Sequence, residues 1–139
     1  MKNRYILAIL LALLCCPALK AQEQQQPLTP EQKEKKMRES IESAVLQFEK
    51  DLKLEDWQTF YVDSILTHNI TERNKEMESL SNNKVENIDL YTLIADKWEE
   101  KTYNAFHAIL DDKQWERYLK TGAGRNKKAR DKRAEKRNN

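Results

Sequence analysis

The chain has 139 residues, of which 35% are charged, with two glycines and three prolines among them. That composition favours helices and argues against a β-sandwich or barrel, and the length suits a single domain. No Gly-rich phosphate loop, nucleophile elbow or zinc signature occurs, so the sequence points to no enzyme, cofactor or metal centre. Charge is uneven: residues 22–124 carry a net −7, whereas residues 125–139 carry a net +6.

Residues 1–21 read as a secretory signal peptide. Lys2 and Arg4 precede an apolar run from Ile6 to Leu14, Pro17 follows, and Ala18-Leu19-Lys20-Ala21 offers a cleavage site. The run is shorter than the roughly 20 residues a spanning helix needs. Cys15 and Cys16 raise lipoprotein anchoring as a lesser alternative, since neither follows the small residue a lipidation site requires. Cleavage after Ala21 would leave 118 residues without cysteine, exported to a periplasmic compartment.

Residues 22–28 are a polar leader. Helix one is predicted from Thr29 to about Asp51, with Met37, Ile41, Ala44, Val45, Phe48 and Leu52 on one face. Helix two is predicted from about Asp56 to Leu80. It carries two stripes, one with Trp57, Tyr61, Ile65 and His68, the other with Val62, Leu66, Ile70, Arg73, Met77 and Leu80. A kink between Leu52 and Asp56 and one continuous helix both fit the pattern. Residues 79–87, with Asn82-Asn83, signal a chain reversal. Helix three then runs from an Asp89 N-cap, with Ile88 stapled to Leu93, to about Ile109. A short helix four carries Trp115, Tyr118 and Leu119 and stops at Gly122 and Gly124. Residues 122–139 read as a basic tail, disordered or at best loosely helical. The expected domain, residues 29–121, is an all-α antiparallel helical hairpin with shorter flanking helices. One such pair cannot cover ten body aromatics, so either the short helices fold over it or two chains pack as a homodimer.

A pattern Leu-x-x-x-Gln opens three of these helices: Leu28-Thr29-Pro30-Glu31-Gln32, Leu54-Glu55-Asp56-Trp57-Gln58 and Leu110-Asp111-Asp112-Lys113-Gln114. A capping residue followed three positions later by Gln is a capping box, with an apolar staple before it. Thr29 and Asp111 are good caps, and Pro30 suits the first helical position. Glu55 is a poorer cap, which makes the middle copy the weakest helix start.

The copies at Leu54 and Leu110, 56 residues apart in a small helical chain behind a signal peptide, resemble the LTxxQ-motif family, the Spy/CpxP group of periplasmic stress proteins. The resemblance spans roughly Leu28 to Lys120. In that family both motifs read Leu-Thr-x-x-Gln; here Glu55 and Asp111 stand at the Thr place. The resemblance implies a cradle-shaped helical homodimer that binds unfolded envelope proteins without ATP, modulates envelope stress signalling or binds metal. The best-known chaperone of the group has a basic cradle, unlike this acidic body.

Most aromatics at helical spacing are expected to pack inward. Phe60, Tyr103 and Tyr118 lie at the edges of the stripes and are the candidates for contact with clients or partners. His68 with Glu72 and His107 with Asp111 are i, i+4 pairs that could each offer two metal ligands, with no third indicated. The basic tail could meet an anionic lipid surface; nucleic acid is not expected as a partner. The alternative to a chaperone or stress modulator is a structural partner of an envelope complex, using the same aromatic face.

Overall fold

The computed structural model describes residues 28–138, so the expected signal peptide, its cysteines and most of the polar leader lie outside the described residues. The described chain is all-helical. Helices α1 (Pro30–Leu52), α2 (Asp56–Asn82), α3 (Ile88–Ile109) and α4 (Asp112–Tyr118) are followed by a widened turn, Leu119–Ala123, and by α5 (Gly124–Asn138). None of the described helices is long and apolar enough to cross a membrane.

The helix starts follow local capping chemistry. Thr29 Oγ1 accepts the Gln32 backbone N–H, Gln32 Oε1 accepts the Thr29 N–H, and Pro30 occupies the first turn. Asp111 and Gln114 form the same reciprocal box on α4. Helices one and two are separate. Lys53 adopts a left-handed conformation at φ +55°, its N–H closes on the Glu49 carbonyl, and the chain restarts at Asp56. Helix α3 is capped two residues earlier than expected. Asn87, not Asp89, is the cap, its side chain accepting the Asp89 N–H, and Ile88 and Leu93 are exposed.

The α2–α3 hairpin is the antiparallel pair expected from the sequence, tied by Asn69 to Thr102 and by Lys97 to Glu76. Helix α1 runs antiparallel along the other side of α2, with Asn74 of α2 against the Met37 sulfur. At 23 residues it is a third long rod, so α2 is the central one. The core gathers where α1 ends, α2 begins, α3 ends and α4 crosses. Phe106 is fully buried there, edge-on to Phe48 at 5.4 Å and tilted over Tyr118 at 5.1 Å, with Leu52 and Val62 closing the cluster.

The residues expected to form a disordered tail are helical. Gly122, at φ +106°, turns the chain, a conformation favoured only by glycine, and α5 returns along α3. Its apolar side chains are Ala129 and Ala134 alone, so ion pairs hold it. Buried Arg130 reaches Glu99 at 3.1 Å and Glu100 at 3.2 Å, while Arg133 and Arg137 both bind the buried Asp96. The Arg133 guanidinium, helped by Arg137 and opposed by burial, holds the Asp96 carboxyl below its ordinary value of 3.8. A depressed native value stabilises docking at pH above the unfolded value, and that contribution is lost as pH falls through the native one. Acidification to below the ordinary carboxylate range is therefore expected to release α5, seen as faster amide exchange over residues 124–138. Asp96→Asn should produce about ten-fold faster exchange at neutral pH, on the ordinary scale of a charged hydrogen bond. Unchanged protection in that variant would mean that something other than Asp96 anchors the helix.

Candidate binding groove

The two motifs expected to open helices meet each other. Gln58 and Gln114, both buried, form a reciprocal amide pair: Gln58 Nε2 donates to Gln114 Oε1 at 2.7 Å, and Gln114 Nε2 donates to Gln58 Oε1 at 2.8 Å. Each Oε1 also accepts the backbone N–H of its own cap residue, Glu55 or Asp111. Each Nε2 also donates to the carbonyl just before the other motif's leucine: Gln58 to Ile109 and Gln114 to Lys53. Both amides are thereby saturated inside the protein, as buried polar groups must be. Leu54 and Leu110 pack against the core beside them, and Arg117 Nη1 donates to the Leu52 carbonyl. Although Glu55 is a weak cap type, its motif holds, because Gln58 caps its backbone and the Glu55 carboxylate accepts Trp57 Nε1 at 2.6 Å. The Leu28 copy caps its helix on the surface and has no such partner among the described residues. This junction is structural. It ties the α1–α2 corner to the α3–α4 corner.

An open groove runs along the seam of α1 and α2. It encloses about 690 Å³ toward the start of α1 and about 530 Å³ toward its end, the two parts sharing Glu42, Phe60 and Asp63. Met37, Ile41, Val45, Leu46 and Phe60 supply apolar lining, with Phe60 69% and Leu46 66% exposed. Trp57 and Tyr61 continue the exposed aromatic surface, Tyr61 lying edge-on to both Trp57 at 6.0 Å and Phe60 at 5.9 Å. Six carboxylates line the two parts: Glu34, Glu42, Glu49, Asp56, Asp63 and Glu72. A hydrogen bond from Lys75 holds Glu72 below its ordinary carboxylate value. Arg38, 3.7 Å from Glu34, is the cationic Lys or Arg side chain among the lining residues.

The candidates from sequence divide accordingly. Phe60 lies at the surface. Tyr118 does not: it is buried in the core, where desolvation pushes its phenol up to about 12. Tyr103 is half-buried, packed against Trp115 at 4.8 Å and lying 5.7 Å from the Arg130 guanidinium, so it belongs to the α3–α4–α5 junction. Trp57 and Tyr61, expected to face inward, are about half exposed. The inward stripe of α2 is the one through Val62, Leu66 and Asn69. His107 packs on Trp115 and His68 on Trp98, while Asp111 is committed to its cap. Among the described residues no group of three His, Cys, Asp or Glu could hold a metal.

A second cavity, of about 320 Å³, lies between α2, α3 and α5. Its lining includes Arg73 and Trp98, whose Nε and Nε1 lack a protein acceptor among the described residues; a polar space of this size accommodates water.

No known protein family, curated protein or solved structure matches this chain.

Proposed function

We propose that this protein is an exported, non-enzymatic helical binding protein that acts without ATP in the periplasm, as a chaperone for unfolded envelope proteins or as a modulator of envelope stress, in the manner of the Spy/CpxP group it resembles. One observation carries the reading: aromatic and aliphatic side chains, Leu46, Trp57, Phe60 and Tyr61, stand exposed beside an open groove on a chain otherwise rich in charge. Contiguous exposed apolar surface of that kind is a contact site. The helix-opening motifs give secondary support, since both Gln residues are buried and mutually bonded, a use that goes beyond capping.

The test is aggregation of a heat-unfolded client, followed by light scattering. At several-fold molar excess the protein should suppress scattering. A Trp57→Ala/Phe60→Ala double variant should protect less while keeping its helicity, because both side chains are on the surface. Full aggregation in the presence of the unaltered protein would reject the chaperone reading.

A further inference from the structure

We infer that the α1–α2 groove selects basic, amphipathic helical segments, deepening the binding role proposed above. Three observations carry this. The first is chemical. The lining sets apolar side chains, Ile41, Leu46 and Phe60 among them, beside carboxylates contributed by both helices. Glu34, Glu42 and Glu49 come from α1, and Asp56, Asp63 and Glu72 from α2; Arg38 offsets Glu34 at 3.7 Å and Lys75 offsets Glu72 at 2.6 Å, while Glu42, Glu49, Asp56 and Asp63 form no ion pair among the described residues. An occupant must therefore offer an apolar stripe to the groove and Lys or Arg to both flanks.

The second is length. The acidic positions span residues 34–49 on α1 and 56–72 on α2. At about 1.5 Å per residue each row is roughly 22–24 Å long, which fits about four turns of helix. The seam of an antiparallel helix pair is also the natural seat for a third helix.

The third weighs against two occupants that the described residues of a second copy could offer. A second copy docked face to face would set two rows of carboxylates against each other, which is unfavourable. Helix α5 of a second copy has the right charge, but Ala129 and Ala134 are its only apolar residues, so it could not cover Phe60 or Leu46. In its own chain it is already bound to Asp96, Glu99 and Glu100. The acidic charge of the body is thus placed for a partner that is both cationic and apolar.

The experiment uses the protein with two fluorescein-labelled 16-residue designed peptides. Both carry the same leucine stripe, and their polar faces are all Lys/Arg in one and all Glu in the other. Fluorescence anisotropy should show the basic peptide binding at least about ten-fold more tightly, a difference of about 1.4 kcal/mol. Raising salt from low to physiological strength should narrow the gap. Phe60→Ala should weaken both peptides. Glu42→Lys with Asp63→Lys should reverse the preference, and circular dichroism confirms that each variant remains folded. Equal affinity for the two peptides, no binding of the basic one, or a preference untouched by the charge reversal would overturn the inference. So would sedimentation showing a dimer that Phe60→Ala converts to monomer, because the groove would then hold a second copy. Aggregation suppression without peptide selectivity would remove this inference and leave the chaperone reading. Selective peptide binding without suppression would do the opposite.

Discussion

Phe106→Ala should destabilise the fold by about 4 kcal/mol, the middle of the range for truncating a buried aromatic. Phe106 is 0% exposed and lies between Phe48 of α1 and Tyr118 of α4, so it joins three helices rather than two. Removing the ring leaves a void bordered by two other rings whose backbones are held by separate helices, and such a site collapses poorly. Urea unfolding monitored by circular dichroism should give a lower midpoint with an unchanged slope. A loss below about 1 kcal/mol would mean that α1 and α4 can close over the gap, and that the core is less tightly specified than its geometry indicates. Phe60→Ala is the matched control. Its ring is 69% exposed, and truncation there should change stability by no more than about 0.5 kcal/mol.

Gln114→Ala should cost about 3 kcal/mol, an unusual penalty for an uncharged polar side chain. The change removes the reciprocal half of the capping box, leaves the Lys53 carbonyl and the Asp111 N–H without their partner, and strips one donor and one acceptor from the buried Gln58 amide. Each buried group so orphaned costs about 1–3 kcal/mol when nothing replaces its bond. The chemically equivalent Gln32→Ala, at a solvent-exposed box, should cost only about 1 kcal/mol. A thermal-unfolding series on Gln58→Ala, Gln114→Ala and the double variant separates capping from cross-bracing. Direct pairing of the two amides predicts a coupling of about 1–3 kcal/mol, the double variant losing less than the sum of the singles. Strict additivity would reduce the two motifs to independent helix starts.

How much was legible in advance follows from the range of each interaction. The caps at Thr29 and Asp111 were readable because a capping box is closed within four residues. The break between α1 and α2 left a weaker trace, since the left-handed residue at its centre is Lys53 and not glycine. The two stripes of α2 are both apolar. Which one turns inward depends on the rotation of the helix after the Lys53 corner, and that rotation puts Val62 and Leu66 in the core and Trp57 and Tyr61 outside. Tyr118 was misplaced for a similar reason: a seven-residue helix has too few turns to show its buried face, and the neighbours Phe48 and Phe106 decide it.

The sequence by itself determined the helical class, the hairpin turn and the places where most helices begin, because these rest on propensity, periodicity and contacts a few residues apart. Only the tertiary structure decided that the basic C-terminal segment is a docked helix, since Asp96, Glu99 and Glu100 lie thirty or more residues along the chain from the arginines that bind them. It likewise decided that two glutamines 56 residues apart share their hydrogen bonds, and that one acidic, aromatic-edged seam is left open. Burial and ion pairing between distant segments depend on how rods are rotated and stacked, and no local pattern carries that information.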